Sequence, residues 1–265
     1  MSIYDCIMYF DEDLILDMRF NILNNDVKKF VIVEATRDHA GNKKDLNFDI
    51  NKFQKFKDKI IYHVVDDIPE KVDNYKKGWS PNFYRENFHR DSIQRAITNC
   101  KQDDLILISD ADEIPNLDTL NKTKIKKYAL FSQKNYLYKL NLLSGNNWLG
   151  SAACYKKYLK SPQWLRNKRF LRRGFIRRLF FKTQIIQNGG WHFSFLKTPE
   201  DILKKIKSYA HGEIKNIKDV NTIKKSIDAK KHCVSSEINL TEVTIDNDFP
   251  EYIRYNKELF KNWIA

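Results

Sequence analysis

The chain has 265 residues, of which 42% are hydrophobic and 13% aromatic, and its formal net charge is +13. This composition predicts a folded domain and excludes an intrinsically disordered chain, which would contain few aromatic residues. With only 8 Gly and 6 Pro, the collagen-like and mucin-like classes are excluded as well. The four cysteines lie far apart without a CxxC pair, which predicts reduced thiols instead of a disulfide framework or a structural zinc site.

No stretch approaches the roughly 20 apolar residues that cross a bilayer. Asp5 interrupts the apolar N-terminal stretch, which argues against a signal peptide. We therefore expect a cytoplasmic protein without a transmembrane segment. Basic residues concentrate in segment 166–182, where apolar residues alternate with them. This segment is interpreted either as an amphipathic element whose Arg stems cover apolar surface, or as a patch for phosphates, an anionic acceptor or peripheral membrane contact.

The N-terminal half alternates predicted strands and helices. Apolar runs predict strands at 3–9, 29–35, 59–65 and 104–109. Apolar residues at helical spacing predict helices at 11–24, with Asp11 as the N-cap, and at 83–99. This order is typical of an α/β domain whose mostly parallel central sheet is flanked by helices. Ligands of such sheets bind at the carboxyl ends of the strands.

The second half is predicted to contain fewer regular elements. Alternating residues predict a strand at 136–142. Thr198 followed by Pro199 has the pattern of an N-cap and a first helical position, which predicts a helix start. A terminal helix is predicted at 251–264, and we expect it to bury four side chains: Tyr252, Tyr255, Leu259 and Phe260.

The sharpest chemical feature is the segment Ser109-Asp110-Ala111-Asp112-Glu113, which directly follows a predicted buried strand. Two carboxylates one residue apart on an irregular turn can both face one cation, and both are ionised at neutral pH because the ordinary pKa of Asp is about 3.9. Oxygen ligands of this kind favour Mg²⁺ or Mn²⁺. Such a cation would neutralise a departing diphosphate. Pro115 stands where an EF-hand loop requires Gly, which excludes that motif.

Six blocks of the chain resemble, in order, the motifs of glycosyltransferase family 17. They are residues 4–6 with Asp13, Leu14 and Arg19; 30–36 with 39–41; Arg85-Glu86 with Gln94-Arg95; 109–115; 190–194; and 208–213. The resemblance implies a GT-A type fold and an inverting, metal-dependent transfer from a nucleotide sugar. It also implies one domain over 1–265, with a nucleotide-sugar-binding half at 1–116 and an acceptor-side half at 117–265.

The resemblance also implies roles for individual residues. Asp110 and Asp112 would hold Mn²⁺ or Mg²⁺, with His192 or His211 as a further metal ligand. His192 is preferred, because Asn188-Gly189-Gly190 before it lets the backbone approach a ligand closely. The residues expected to contact the nucleotide sugar are Glu34, Thr36, Arg85, Arg95, Asp110 and Trp191, and we add Arg90 on the same predicted helix as Arg85. Structural roles stay open as alternatives. The two histidines would be structural, Trp191 would be a core residue, and the arginines would form helix-surface ion pairs with Glu86 or Asp91.

An inverting transfer needs one base that takes a proton from the acceptor hydroxyl. Glu213 and Glu113 are the candidates. Glu213 is preferred, because a neighbouring cation would lower the pKa of Glu113 and weaken it as a base.

UDP-GlcNAc is the expected donor, and a glycan or lipid-linked saccharide is the expected acceptor, with no nucleic acid as a partner. Eukaryotic members of the family carry an N-terminal membrane segment and a stem that this chain lacks, so we expect a cytosolic enzyme of bacterial or viral glycan synthesis. Two other classes of protein fit the sequence less well. A nucleotidyltransferase needs an early Gly-rich phosphate loop, which residues 8–14 do not contain. A basic nucleic-acid-binding protein would leave the paired carboxylates unexplained.

Overall fold

The computed structural model of this protein describes residues 1–73, 80–172, 183–208, 217, 219–235 and 237–265. Within these residues, ten strands form one sheet. In chain order the strands are β1 (Ile3–Tyr9), β2 (Val27–Ala35), β3 (Ile60–Val65), β4 (Leu105–Asp110), β5 (Glu113–Pro115), β6 (Tyr128–Leu137), β7 (Leu142–Tyr155), β8 (Gln184–Ile186), β9 (Gly190–Ser194) and β10 (Thr241–Glu242).

Helices connect and cover these strands. In chain order the α-helices are α1 (Asp13–Leu23), α2 (Pro81–Asp91), α3 (Ile93–Ala96), α4 (Thr119–Lys122), α5 (Pro162–Arg166), α6 (Pro199–Ser208), α7 (Val220–Asp228) and α8 (Glu251–Tyr255). Short 3-10 helices occupy Ile50–Lys59, Lys156–Tyr158, Asn167–Arg172 and Lys261–Trp263. In the part of the chain that the structure describes, every helix is too short or too polar to cross a membrane.

The sheet has the strand order β3-β2-β1-β4-β7-β6-β9-β5, with β8 paired to β6 and β10 paired to β7. The first four strands of this order run parallel to one another, whereas β7 runs antiparallel to both β4 and β6. The predicted α/β class with a central sheet flanked by helices is therefore confirmed. The strands β3, β2, β1 and β4 are parallel, and the sheet is mixed from β7 onward. This arrangement is consistent with a GT-A-like fold.

Successive side chains of a strand point to opposite sides. In β1, β2 and β4 the side chains of both sides are mostly buried, whereas those of the edge strand β3 are mostly half-buried. One face, which includes Cys6 and Val31, packs against residues of α2, α3 and α5. The other face, which includes Ile7 and Phe30, packs against α1 and the C-terminal residues. This double cover explains why β2 and β4 are nearly continuous apolar runs in the sequence.

The predicted strands 3–9, 29–35, 59–65 and 104–109 are confirmed, with ends that shift by a residue or two. The predicted N-cap of α1 is wrong. The helix begins at Asp13 with Glu12 in the cap position, and the carboxylate of Asp11 accepts a bond from Lys197 instead, at 2.5 Å. The Thr198 cap of α6 is confirmed, because its hydroxyl oxygen accepts a bond from the backbone N–H of Asp201 at 3.2 Å.

Other boundaries differ more. The predicted helix 83–99 is divided into α2 and α3 at Ser92, whose hydroxyl donates to the carbonyl of His89 at 2.6 Å. The strand predicted at 136–142 begins earlier and ends at Leu137, because Tyr138 has a φ of 66° and turns the chain. The C-terminal helix is also shorter than predicted.

The burial predicted for the C-terminal helix is half correct. Phe260 is fully buried, and Tyr252 packs against the same core cluster. Tyr255 and Leu259, in contrast, are exposed by 74% and 63%. The helix α8 ends at Tyr255, so the helical spacing that was to bury these two side chains is not maintained.

Candidate active site

A pocket of about 110 Å³ opens at the carboxyl ends of β1, β2 and β4. This is the edge at which ligands bind in parallel α/β sheets. Its charged and aromatic lining comes from distant parts of the chain: Tyr9, Phe10, Glu12, Arg37, Asp38, His39, Lys44, Glu86, His89, Arg90, Asp110, Asp112 and Lys205. The predicted carboxylate pair is therefore found in a pocket at the predicted edge of the sheet.

Arg19 of α1 holds the backbone of the acidic loop, residues 110–113, which carries this pair of carboxylates. The guanidinium forms two bonds of 2.6 Å with the carboxylate of Asp5, and both side chains are buried. It also donates to the backbone carbonyls of Ala111 and Glu113, at 3.1 and 2.8 Å. Buried carbonyl groups need such donors, so Arg19 holds the loop in one conformation.

Asp110 is held by two arginines. Its carboxylate accepts bonds from Arg90 at 2.9 Å and from Arg166 at 2.6 Å. Burial alone would raise the pKa of the Asp110 carboxyl, but the guanidinium groups of Arg166 and Arg90 outweigh burial and hold that pKa well below its usual range. Asp110 is thus a permanent anion that orients two cations at the edge of the pocket.

Asp112 faces a different pair of groups. The Nζ atom of Lys205 lies 3.4 Å from Oδ2, and Nε2 of His192 lies 3.6 Å from Oδ1. Burial would raise the pKa of Asp112, yet Lys205 and His192 lower it to below its ordinary value. His192 comes from β9, which pairs with β5 so that His192 lies opposite Glu113.

The residues present fit a divalent cation at Asp112. Mg²⁺ and Mn²⁺ bond to their ligands at about 2.0–2.2 Å, so two donor atoms 3.6 Å apart can share one ion. Both oxygens of Asp110 are already engaged by arginines. Among the described residues, no group of three His, Cys, Asp or Glu side chains converges on one point. Asp112 and His192 would therefore hold such a cation with ligands that do not come from the protein, as is common for Mg²⁺.

Glu113 is enclosed instead of facing the pocket. One carboxylate oxygen accepts bonds from Arg166 at 2.7 Å and from the indole Nε1 of Trp148 at 2.8 Å. The other accepts the backbone N–H of Asp110 at 2.9 Å. With no exposed surface, this carboxylate has no access to an acceptor hydroxyl. The geometry argues against Glu113 as the base and indicates a structural role.

We expect the Glu113→Gln variant to lose about 3 kcal/mol of unfolding free energy, because breaking a buried ion pair leaves Arg166 with less compensation. Urea unfolding of the purified variant measures this loss. Glu242→Gln, which removes a half-exposed partner of Lys230, is the matched control and should leave the stability unchanged. A Glu113→Gln protein of wild-type stability that has lost turnover would instead restore Glu113 as the base.

Two histidines form part of the pocket wall. Nε2 of His89 lies 3.2 Å from the carbonyl of Val33, which can only accept, so this nitrogen carries the proton. The bond between Nδ1 of His89 and Nε2 of His39, at 3.4 Å, is then donated by His39. Burial lowers the pKa of both imidazoles, so both are neutral at pH 7.

Two residues predicted to contact the nucleotide sugar instead hold the backbone of loops. The buried carboxylate of Glu34 accepts bonds from Lys44, the backbone N–H groups of residues 47 and 48, and Tyr62. The guanidinium of Arg85 donates to three backbone carbonyls, at residues 39, 69 and 70. Neither residue lines the pocket. Both fix the loops that form its wall.

Three further predicted contacts also lie outside this pocket. Thr36 follows β2 with its N–H bonded to the carbonyl of Val65 at 3.0 Å. Arg95 is half-exposed and forms an ion pair with Asp67 at 2.8 Å. Trp191 is buried in the core, and its indole donates to the carbonyl of residue 248 at 2.8 Å. The structural alternatives agree with this placement. Trp191 is a core residue. Arg95 forms an ion pair, although with Asp67 instead of Glu86 or Asp91.

The exposed indole beside the acidic loop belongs to Trp148, a residue that was not predicted as part of the site. Its ring stacks on the imidazole of His192 at 4.5 Å, with 16° between the planes, and 38% of the residue is exposed. Lys205 was not predicted either, although its position three residues after Ile202 places it on the apolar face of the helix. One signal in the sequence could have indicated Trp148, because this large aromatic residue directly follows the polar pair Asn146-Asn147.

Two predicted site residues, His211 and Glu213, lie outside the described residues, as does the part of the basic segment at 173–182. Their predicted roles stay predictions. The beginning of that segment is described. Arg166 points into the site, where its guanidinium joins Asp110 and Glu113.

Comparison with known proteins supports the resemblance seen in the motifs. The family model described as Glycosyltransferase family 17 matches residues 1–239. The chain is 26% identical over 225 residues to the beta-1,4-mannosyl-glycoprotein 4-beta-N-acetylglucosaminyltransferase of Homo sapiens, and likewise to that of Rattus norvegicus. These alignments cover 75% of this chain and 41% of each relative, so the chain spans less than half the length of these proteins. Because the family match extends over most of the sequence, the chain belongs to glycosyltransferase family 17.

Proposed function

We propose that this chain transfers a sugar from a nucleotide sugar to a hydroxyl group of a glycan or a lipid-linked saccharide. The observation that carries the proposal is the fixed acidic loop in a pocket at the carboxyl edge of the sheet, in a chain of glycosyltransferase family 17. UDP-GlcNAc is the proposed donor, because the human and rat relatives are named as N-acetylglucosaminyltransferases.

The pocket has the charges that a nucleoside diphosphate requires. Cationic side chains of Arg37, Lys44 and Arg90 line it, the first two from the loop that follows β2 and the third from α2. Arg90 is itself held by Glu86 and Asp110, at 2.8 and 2.9 Å, so its guanidinium is oriented before a ligand arrives. Preoriented cations of this kind stabilise charge that develops in a transition state without further rearrangement.

We infer that Asp112 and His192 hold a Mn²⁺ or Mg²⁺ ion. When bound, the cation supplies positive charge to the diphosphate that leaves the sugar. Asp110 orients the guanidinium groups of Arg90 and Arg166. Trp148 offers an exposed ring against which a sugar can pack. In the proposed inverting reaction the acceptor oxygen bonds to C1 as the bond to phosphate breaks. Glu213 stays our prediction for the base that takes the acceptor proton.

The partners follow from the same proposal. The substrates are the nucleotide sugar and a saccharide acceptor, and the 166–182 segment remains our proposed contact with an anionic acceptor or a membrane surface. A cytoplasmic location likewise stays a prediction, and nucleic acid is not a proposed partner.

Nucleotide release tests the proposal directly. The purified protein is incubated with Mn²⁺ and, separately, with UDP-, GDP- and dTDP-sugars, and the nucleoside diphosphate released is measured with and without EDTA. We expect slow release of UDP from UDP-GlcNAc that EDTA abolishes. Thermal unfolding is followed in parallel, because a bound donor stabilises the folded state.

The negative result is equally defined. If none of the donors is hydrolysed and none raises the unfolding temperature, even with Mn²⁺, the proposed donor binding is wrong. Release that persists in EDTA would keep the transferase proposal and remove its metal dependence.

A further inference from the structure

His39 lies in the wall of the pocket with one of its two ring nitrogens engaged by a second histidine. Its Nε2 donates to Nδ1 of His89 at 3.4 Å, and Nε2 of His89 donates to the carbonyl of Val33 at 3.2 Å. Because a carbonyl can only accept, this chain of bonds has one direction. Burial lowers the pKa of both imidazoles, so both are neutral at pH 7. The Nδ1 atom of His39 therefore carries a lone pair and no proton.

This lone pair has no donor within the part of the chain that the structure describes. The one side-chain bond of His39 there is made by Nε2. Its Nδ1 is not among the buried polar atoms that lack a partner, so the atom is accessible, on a residue that lines the pocket. An acceptor in a partly enclosed site favours a ligand that presents an O–H or N–H group to it.

The backbone that carries His39 is held in place by its own loop. The N–H of Asp38 donates to the carbonyl of Asn42 at 2.9 Å, and the carboxylate of Asp38 accepts the N–H of Asn42 at 2.8 Å. Between them Gly41 has a φ of 99°, and a Cβ atom there would lie 2.8 Å from the guanidinium of Arg85. Arg85 in turn donates to the carbonyl of His39 at 3.3 Å. An acceptor fixed in this way loses little affinity to ordering when a ligand binds.

The position of His39 in the sheet indicates which group of a nucleotide it meets. The parallel strands lie in the order β3-β2-β1-β4, and the pocket opens at their carboxyl ends. In doubly wound sheets of this order, the phosphates bind beyond the first strand, and an acceptor near the end of the second strand binds a ribose hydroxyl. His39 follows β2 in the same way. Both carboxylate oxygens of its neighbour Asp38, in contrast, already accept bonds from Asn42.

We propose that Nδ1 of His39 accepts a hydrogen bond from a ribose hydroxyl group of the nucleotide donor. This inference rests on the proposed function and makes His39 a residue that selects the donor. The hydroxyl meets an unprotonated nitrogen, whereas a deoxyribose leaves that nitrogen without a partner in the pocket. Sites that hydrogen-bond a substrate hydroxyl discriminate strongly against analogues that lack it, because the polar group of the site then loses water and gains nothing.

Three ligands measure this contact: UDP, 2′-deoxy-UDP and 3′-deoxy-UDP, each titrated calorimetrically into the full chain with Mg²⁺. We expect one of the two deoxy ligands to bind the wild type about tenfold more weakly than UDP, because an acceptor of the pocket loses its donor. The His39→Phe variant has no acceptor at this position. It should bind UDP and that deoxy ligand equally, within about twofold, because the hydroxyl then has no partner to lose.

Two further variants separate the contact from a merely structural effect. His39→Asn keeps an oxygen acceptor near the position of Nδ1 and should retain part of the discrimination. His63→Phe is the matched control, because it removes a half-buried histidine of β3 that lies outside this pocket. It should keep the wild-type ratio of the affinities. Thermal unfolding of each variant shows whether it is folded.

Long-range proton–nitrogen NMR spectra of the wild type identify the protonated nitrogen of each imidazole and need no variant. We expect His39 and His89 to be protonated on Nε2 and unprotonated on Nδ1 at pH 7. A proton on Nδ1 of His39 would overturn the inference, because that nitrogen could then accept nothing. This measurement decides the point even if His39→Phe does not fold.

The outcomes also separate this inference from the proposed function. If the wild type binds UDP and both deoxy ligands equally well, the proposed function survives and the ribose contact is wrong. The contact is also wrong if His39→Phe weakens UDP and the deoxy ligand by the same factor, because the loss would then come from the shape of the pocket. If the wild type binds none of the three ligands, donor binding as UDP fails and the inference fails with it.

Discussion

The Asp112→Asn variant is expected to lose transfer activity by at least about a hundredfold while it remains folded, the size of loss seen when one preoriented electrostatic group is removed. Asparagine keeps the volume of the side chain but removes its charge. Asp112 is the carboxylate that faces both His192 and Lys205 in the pocket. Its loss would weaken the proposed cation site and leave the ammonium of Lys205 with one carboxylate fewer.

The measurement is UDP release from UDP-GlcNAc, with thermal unfolding of the same preparation. Asp103→Asn is the matched control, because Asp103 is exposed and pairs with Lys157 at the surface. It should have wild-type activity. An Asp112→Asn protein that releases UDP at the wild-type rate would remove Asp112 from the proposed site.

The two aspartates of the loop should differ in their effects. Asp110→Asn removes the anion between Arg90 and Arg166, which are both buried. The variant should therefore lose stability as well as activity, because two buried guanidinium groups lose a partner. Asp112→Asn should lose activity chiefly. The structure thus separates two carboxylates that are indistinguishable in the sequence.

The pKa directions set the pH range in which these carboxylates act. Since the pKa of Asp110 is held well below its ordinary value of 3.8, its ion pairs stabilise the fold fully at any pH above that value. This stabilisation is lost only as the pH falls through the lowered pKa of the folded protein. The pKa of Asp112 is lowered as well. A fall in activity between pH 7 and pH 5 would therefore have to come from other groups.

The elements that could be predicted are those whose signal is local. The sequences of β2 and β4 are apolar because both faces of these strands are buried. Three or four apolar residues in succession are enough to predict such a strand. The acidic loop was predicted on the same basis, since it directly follows β4. Its position in a pocket follows from the parallel order of β2, β1 and β4.

The hydrogen-bond partners of each polar side chain could not be predicted from such local patterns. Glu34 and Arg85 lie near the predicted edge, yet their polar atoms satisfy the backbone of loops. Sequence position gives the edge of the sheet that a residue reaches, but not how the following loop folds over it. The same limit explains the two tryptophans. Alternation along β9 sends Trp191 to the core and His192 to the site, while Trp148 arrives from β7.

Lys205 shows the limit most clearly. It reaches the acidic loop from α6, more than 90 residues further along the chain than Asp112. Helical spacing separates it from Lys204, because Lys205 lies three residues after Ile202 and so on the same face, whereas Lys204 is exposed. This spacing does not indicate which partner Lys205 meets. Only the tertiary packing of Ile202 and Ile206, which are buried in a separate apolar cluster, determines which lysine of the helix faces the pocket.

The Arg19→Met variant is expected to lose about 3–5 kcal/mol of unfolding free energy, the usual effect of removing one partner from a buried ion pair. Asp5 would remain as a buried, unpaired carboxylate, and the carbonyls of Ala111 and Glu113 would lose their donor. Urea unfolding measures the loss. Arg95→Met is the matched control, because Arg95 forms the same two-bond pair with Asp67 at the surface. Its effect should stay below about 1 kcal/mol.

A double variant separates the two tasks of Arg19. In Asp5→Asn/Arg19→Met neither charge of this buried pair remains, so part of the lost stability should return. Activity should remain low, because the carbonyls of Ala111 and Glu113 still lack the guanidinium that holds the acidic loop. A double variant with wild-type UDP release would show that the loop keeps its conformation without Arg19. Low activity in a restabilised protein would instead identify Arg19 as the residue through which helix α1 positions Asp112 for donor binding.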